Sequence, residues 1–349
     1  MAQHFDITRR QFGVGALAAF ASVSAAGLLS GCQKVNQSQQ DSASSSQAEN
    51  GGGADAINNS LSDGKETVKI AYLPITHALP VFQVAKDLQA DSSSVIQVQL
   101  VQYGSWPELM DALNSGKVDG ASVLVELAMR AAEQGIGVKA AALGHRDGNV
   151  IVASKAVQAT SDLAGKTIAI PARQSSHYIL VLQALSEAGL SEADVSITEL
   201  APTEMPSALA SGRVDAYCVA EPFGAKGVES AGGHVLANSE DLWSDSVCCA
   251  LAVNDAFLDG RPQVAKAFIE AYKRAGDTLD ESGDALDIAK EFLNQTDDVL
   301  KTSLQWISYR DLTIDEATYN ELVRRVIAAG LSENPPAFVD FVVNEGDLA

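Results

Sequence analysis

The chain has few positively charged residues for its length. Its 349 residues include 24 lysines and arginines against 45 aspartates and glutamates, a formal net charge of −21. Nucleic-acid binding needs basic surface that replaces the counterions of the phosphates, so this balance excludes nucleic acid as a partner. A small local site for an anion remains compatible with it, because net charge mainly governs solubility.

Histidine and cysteine are also scarce, with five and four residues. No histidine lies at metal-ligand spacing from a cysteine, and no serine–histidine–aspartate, metal-binding or phosphate-loop motif is present. We therefore expect no metal site, no cofactor and no enzymatic activity.

Three cysteines, Cys218, Cys248 and Cys249, lie in the body of the chain. Adjacent residues of a strand face opposite sides, so at most one of Cys248 and Cys249 shares a face with Cys218. The sequence allows either one disulfide and one buried thiol or three buried free thiols.

Residues 1–31 have the features of an export signal. Arg9 and Arg10 precede an uncharged run from Phe12 to Leu29, which ends in Leu29-Ser30-Gly31-Cys32. This resembles a twin-arginine signal with a bacterial lipobox, in which the cysteine is acylated. The resemblance implies an extracytoplasmic protein anchored to the cell membrane through Cys32. The alternative is a transmembrane helix, for which the run is short and weakly hydrophobic.

Residues 32–65 are dominated by serine, glutamine, asparagine, glycine, alanine and aspartate. They show no apolar period and cannot bury enough apolar surface to offset the lost chain entropy. This composition predicts a disordered, flexible tether.

From residue 66 onward, short apolar strands alternate with amphipathic helices. Ala112–Ala121 is echoed by Ala208–Tyr217: in each, a helix ends at Ser-Gly, a cation and Val-Asp follow, and a strand begins. Two such units predict an α/β fold with two lobes, each a mostly parallel sheet flanked by helices, and a ligand cleft between them. The expected boundaries are lobe 1 at 66–152, lobe 2 at 153–247, and a return to lobe 1 with C-terminal helices at 248–349.

Five motifs follow one another along the body. They are Ile70–Pro80, Gly144–Gly148, Ser175–His177, Asp215–Phe223, and Cys248–Cys249 before Leu251–Asn254. In this order they resemble type II periplasmic binding proteins of the nitrate/sulfonate/taurine/bicarbonate group. The resemblance implies a monomeric solute-binding protein whose lobes close on a ligand by a hinge motion and then dock on an ABC permease and ATPase.

Ligands of such sheets lie beyond the carboxyl ends of the strands, at helix N-termini. Serine and threonine at these positions also cap helices, so several of the candidates have a purely structural alternative. Arg173 is equally compatible with a solvated loop cation. The candidate ligand-binding residues are Thr76, His77, Ser105, Trp106, Leu124, Arg173, Ser175, Ser176, His177 and Glu221.

Helix N-termini and Arg173 favour an oxyanion or a sulfonate as the solute, in the sulfonate, taurine, nitrate or bicarbonate class. Glu221 weighs against a purely anionic pocket: it either faces the hinge or binds the amine of a zwitterion such as taurine. One alternative is a thiamine-pyrimidine precursor held between Trp106 and Tyr178. Others are a ligand-sensing adaptor, and a pyrimidine-forming enzyme of related fold, which would need more than the Cys248-Cys249 pair.

Overall fold

The computed structural model describes residues 52–59, 61 and 64–348. The expected export signal, Cys32 and most of the expected tether lie outside these residues. Within the expected tether, Gly52–Asn59 form helix α1. Ala54 and Ile57 share one face of this helix and are buried, and the Asn58 amide exchanges two 2.9 Å hydrogen bonds with the backbone of Leu100. The folded body therefore begins earlier than the sequence indicated.

The remaining elements alternate along the chain. The strands are β1 (Glu66–Tyr72), β2 (Ile96–Gln102), β3 (Gly120–Leu124), β4 (Val138–Leu143), β5 (Arg146–Asp147), β6 (Asn149–Ala153), β7 (Thr167–Ile170), β8 (Ser196–Glu199), β9 (Ala216–Ala220), β10 (His234–Asn238), β11 (Cys249–Asn254) and β12 (Ile307–Ser308). The helices after α1 are α2 (Leu79–Ala90), α3 (Trp106–Asn114), α4 (Val125–Glu133), α5 (Ser176–Glu187), α6 (Met205–Ala210), α7 (Phe223–Ala231), α8 (Ser239–Leu242), α9 (Asp255–Gly260), α10 (Pro262–Ser282), α11 (Ala285–Phe292), α12 (Asp297–Ser303), α13 (Glu316–Ala328) and α14 (Phe338–Phe341).

Two five-stranded sheets form the two lobes. Their strand orders are β2-β1-β3-β11-β4 and β10-β6-β9-β7-β8. In the first sheet β11 runs against both neighbours, and in the second β6 does, while the other four strands of each sheet share one direction. The predicted α/β fold of two mostly parallel lobes is confirmed.

The strand that opposes the others is in each case the one arriving from the other lobe. β6 follows β4 into the second sheet, and β11 follows β10 and α8 back into the first. The expected boundary at residue 152 therefore falls inside β6. The two crossings, residues 144–148 and 243–248, run side by side, because the Asp147 N–H donates to the Ser246 carbonyl (2.9 Å) and the Ser246 N–H and hydroxyl donate to the Asp147 carboxylate (both 3.0 Å).

The C-terminal helices cover lobe 1 and reach lobe 2. Phe82 of α2 stacks on Phe292 of α11 with ring centroids 4.4 Å apart and meets Tyr72 of β1 edge-on at 4.8 Å. All three rings are buried, and aromatic burial of this kind contributes strongly to a core. α10 and α11 pack on α2, whereas α12 packs on α7 of the second lobe. Among the described residues, no helix combines the length and apolar character needed to cross a membrane.

Candidate functional site

Loops from both lobes converge where the parallel strands end. β1 leads into Thr76 and His77, β3 into Glu126, and β7 into Ser176 and His177, and all five side chains have no exposed surface. The carboxyl ends of parallel strands lie at one edge of a sheet, so each lobe collects its polar groups at a single edge. The two edges face each other across the lobe junction.

Thr76 holds the two lobes together. Its backbone N–H and its hydroxyl both donate to the carbonyl of Glu221, at 2.9 and 3.0 Å. Its own carbonyl accepts a 2.9 Å hydrogen bond from the hydroxyl of Tyr309. The structure therefore gives Thr76 a bridging role between the strand ends.

Four potential metal ligands lie together beside this bridge: His77, His145, Cys248 and Cys249, here named the His–Cys cluster. One ligand atom from each lies within 4.8 Å of every other, and all four side chains are buried. The imidazole rings of the two histidines are 3.6 Å apart between centroids, and His77 Nδ1 is 3.7 Å from Cys249 Sγ.

Neighbouring backbone atoms orient the cluster. His77 Nε2 lies 2.9 Å from the Gly148 carbonyl, and since a carbonyl only accepts, Nε2 carries the proton and Nδ1 presents its lone pair to the cluster. The Cys249 N–H donates to His145 Nε2 over 3.3 Å. A Cβ atom at Gly144 would lie 3.0 Å from the His77 carbonyl oxygen and 3.2 Å from the Cys249 Cβ, so the chain approaches the cluster closely at that point.

Burial and the contacts within the cluster together set its protonation. It lowers the pKa of His145 to about 4, with the neighbouring His77 acting in the same direction. Burial alone would raise the pKa of Cys248, but the hydrogen bond with Cys249, the electrostatic interaction with the nearby His177 ring, and the hydrogen bonds with His145 and His77 lower it well below its usual value. The pKa of Cys249 is raised well above its usual value by burial and by the adjacent Cys248. One thiolate, one thiol and neutral His145 are the favoured forms.

Glu126, Ser176 and His177, here named the cleft groups, have buried side-chain atoms without a hydrogen-bond partner. Burial raises the pKa of Glu126 well above its usual value, and the nearby Cys248 adds to this, whereas the Ser176 hydroxyl partly offsets it. Burial lowers the pKa of His177 to about 4. Leaving buried polar groups unpaired costs about 1–3 kcal/mol each, so these groups indicate a place for a ligand.

The other candidates from the sequence have different surroundings. The exposed Arg173 pairs with Glu192 at 2.6 Å and lies 3.4 Å from the Tyr178 hydroxyl. Ser175 caps α5, accepting from the Tyr178 N–H at 3.3 Å. The Glu221 carboxylate accepts from the Ala225 N–H, and burial raises its pKa to about 8.

Three further candidates lie in lobe 1, at or after the ends of its strands. Leu124 is buried at the end of β3, opposite Cys249 of β11. Ser105 occupies the N-cap position of α3 but makes no side-chain capping bond. Trp106 is buried, and its indole N–H has no hydrogen-bond partner.

The expectation that no histidine meets the cysteines rested on sequence spacing, and the fold overturns that premise. His77 and Cys249 are 172 residues apart in sequence, yet they meet because β11 inserts into the sheet that β1 also joins. Adjacent residues within a strand face opposite sides, but β11 begins at Cys249, so Cys248 lies before the strand and does not follow this alternation. The thiols of both cysteines can therefore reach the same cluster. Cys218, Cys248 and Cys249 are all buried and free.

Two mixed sheets are joined by two adjacent crossings, and buried polar side chains without hydrogen-bond partners lie at the junction of the lobes. This arrangement defines a periplasmic-binding-protein fold. The chain belongs to the NMT1-like family, whose model matches residues 62–293. The structure superposes with a TM-score of 0.78 on the zinc-bound ligand-binding component of an ABC-type import system from Staphylococcus aureus. The two are 37% identical, over 82% of this chain and 99% of that one. The resemblance noted in the sequence is thereby confirmed.

Curated relatives match at lower identity. The Synechococcus elongatus nitrate import ATP-binding protein NrtC is 26% identical over 62% of this chain and 36% of its own length. The taurine-binding periplasmic protein of Escherichia coli is 27% identical over 58% of this chain and 63% of its own. The chain thus spans about a third of the length of the first of these relatives. The Escherichia coli aliphatic sulphonate binding protein SsuA shares the fold, with a TM-score of 0.65 at 17% identity over 80% of this chain and 92% of that one.

Proposed function

We propose that this protein is the extracytoplasmic solute-binding component of an ABC importer and captures a small zwitterion of the taurine class between its lobes. The observation that carries the proposal is the set of cleft groups. Glu126 lies in the first turn of α4 in lobe 1, and Ser176 and His177 start α5 in lobe 2. All three are fully buried with side-chain atoms outside hydrogen-bond geometry, while the Ser176 hydroxyl is close enough to Glu126 to lower its pKa. A solute that satisfies both sides would favour the closed form over the open one.

The chemistry of the two sides differs. The first turn of α5 offers backbone N–H groups, the Ser176 hydroxyl and a neutral His177, which together suit a sulfonate or carboxylate. Glu126 suits a primary ammonium, which would restore its ionised form by pairing. Among the described residues, the buried polar set contains no lysine or arginine. This favours a zwitterion over a simple anion such as nitrate or bicarbonate.

A thermal-shift screen tests the proposal, because a ligand that binds only the folded state raises the melting temperature. We expect taurine to give a larger shift than ethanesulfonate, which lacks the amine. Glu126→Gln should reduce the taurine shift and leave the ethanesulfonate shift nearly unchanged. A shift by aminopyrimidine alone, or by none of taurine, alkanesulfonates, nitrate and bicarbonate, would contradict the proposal.

We also propose that the anchor is acylated Cys32, which places the protein on the outer side of the cell membrane beside its permease. A double acyl anchor binds stably where a single chain does not. Cys32→Ala should move the protein from the membrane fraction to the soluble fraction after expression in a bacterium with lipoprotein processing. Unchanged membrane retention would show that another segment anchors it.

A further inference from the structure

The His–Cys cluster lies at the hinge and adjoins the cleft groups, since Cys248 interacts electrostatically with both Glu126 and His177. His145 belongs to the first crossing between the lobes, Cys248 ends the second crossing, and Cys249 begins β11. The hydrogen bonds between Asp147 and Ser246 hold these crossings side by side within a few residues of the cluster. His77 joins from the loop after β1, directly beside the Thr76–Glu221 bridge.

We propose that His77, His145, Cys248 and Cys249 form a tetrahedral site for a resident zinc-class divalent ion that ties the two interlobe crossings together. The metal site itself is independent of the proposed function, whereas its role at the hinge rests on that function.

The distances suit such an ion. Zinc bonds of about 2.3 Å to sulfur and 2.0–2.1 Å to nitrogen place tetrahedral ligand atoms about 3.3–3.8 Å apart. His77 Nδ1 and Cys249 Sγ are already 3.7 Å apart, and the largest separation in the set is within 4.8 Å. Side-chain movements of about 1 Å would complete the geometry.

The surroundings match those of a metal-bound histidine. A ligating imidazole usually donates its other ring N–H to a backbone carbonyl or a carboxylate, which fixes its tautomer and orientation. His77 makes this bond to Gly148, which leaves its Nδ1 lone pair for an ion at the centre of the cluster. At His145 the Cys249 N–H occupies the Nε2 lone pair over 3.3 Å, so this long contact must open when His145 binds an ion.

The donor set selects the kind of ion. Two sulfurs and two imidazoles suit zinc, whereas magnesium and calcium require oxygen ligands. Four protein ligands leave no open position, which is typical of structural zinc sites and not of catalytic ones. The ion would therefore be retained as part of the fold.

Cobalt substitution tests the site in the unaltered full chain. Protein stripped with EDTA under reducing conditions should bind one equivalent of Co²⁺, with thiolate-to-cobalt charge-transfer absorption and the visible bands of tetrahedral cobalt. Zn²⁺ should displace the cobalt, and Mg²⁺ and Ca²⁺ should not. An octahedral cobalt spectrum, or no saturable binding, would overturn the proposal without any variant being made.

Matched variants locate the site. Cys248→Ser and Cys249→Ser should each weaken zinc binding by about 100-fold or more, since even loss of an outer contact to a metal ligand costs about 10–100-fold. Cys218→Ser removes a buried thiol outside the cluster and should bind as the wild type does. In the same way His145→Gln should lose affinity and His234→Gln should keep it. Equal affinity of the cluster and control variants, with circular dichroism showing both folded, would refute the assignment.

Repeating the solute screen on zinc-loaded and stripped protein separates the two proposals. Zinc binding without any solute response would support the metal site and contradict the proposed function. A solute response without zinc binding would support the proposed function and contradict the metal site. If zinc alone compacts the protein in small-angle scattering and no organic solute acts on the loaded form, the ion is the solute, and the resident hinge role is wrong.

Discussion

The two lobes share one plan but place different chemistry on it. In each, the aspartate of the repeated Val-Asp segment accepts a hydrogen bond from the neighbouring parallel strand: Asp119 from the Lys69 N–H at 2.8 Å, and Asp215 from the Thr167 N–H at 2.9 Å. In each, the reversed strand arrives from the other lobe. The repeated residues thus maintain the sheets, while the loops that differ between the lobes carry the candidate sites.

Lobe 1 differs in having an aromatic core built with the C-terminal helices. Phe82→Ala would remove the ring that contacts both Phe292 and Tyr72. We expect a loss of about 3–5 kcal/mol in the free energy of unfolding, since the site is buried and cannot collapse fully. Urea denaturation measures it, and Val95→Ala, at a residue 68% exposed, should stay within about 0.5 kcal/mol. A loss below about 1 kcal/mol would show that the stack contributes little.

The equivalent aspartates of the two lobes, Asp119 and Asp215, allow their contributions to stability to be compared directly. Asp119 also pairs with Arg261 at 2.5 Å, whereas Asp215 lies 3.8 Å from Lys166. We expect Asp119→Ala to cost about 2 kcal/mol and Asp215→Ala about 1 kcal/mol, since only the first leaves a close ionic partner unpaired. Equal losses in chemical denaturation would mean that the shared strand contact accounts for both effects.

Substitutions at the candidate residues of lobe 2 should differ in how much they weaken solute binding. Ser176→Ala and His177→Ala should each weaken solute binding by about 1–2 kcal/mol, roughly 5–30-fold, through loss of a hydrogen bond to a charged group. Arg173→Ala should leave affinity unchanged, since Arg173 pairs with Glu192. Isothermal titration calorimetry checks all three. A large effect at Arg173 would restore the sequence-based interpretation of that residue as an anion contact.

The raised pKa of Glu221, at the lobe junction, predicts that stability depends on pH. The folded-state pKa of Glu221 is about 8 against an ordinary value of 4.5, so between these values the folded state binds more protons than the unfolded state. Glu221 therefore makes stability fall as pH rises through this window, by up to about 1.4 kcal/mol per pH unit. Glu221→Gln should flatten the dependence between pH 5 and 8 in melting experiments. An unchanged slope would show that Glu221 is ionised in the folded protein.

The alternation of strands and helices and the echo between Ala112–Ala121 and Ala208–Tyr217 were enough to predict two mostly parallel lobes. The same reasoning placed Thr76, His77, Ser176 and His177 at strand ends, where the structure has them. What each side chain contacts could not be predicted, because that depends on the opposite lobe. Thr76, for example, finds its partner in Glu221, 145 residues away.

The His–Cys cluster was missed for a related reason. Spacing rules detect ligands that are close in sequence, whereas this cluster depends on β11 inserting between β3 and β4. A usable signal was nevertheless present: His77 and His145 both follow strands of the first sheet, and the cysteine pair opens the strand that returns to it. The helix at Gly52–Asn59 was missed because its polar residues outnumber Ala54 and Ile57, which bury only one face.

Hydrogen exchange with and without the bound solute tests the central claim most directly. If a solute is held from both sides, amides at the start of α4 and at the start of α5 should gain protection together, while β8, at the far edge of the second sheet, should not change. Protection confined to one lobe, or appearing only away from these helix starts, would contradict capture between the lobes.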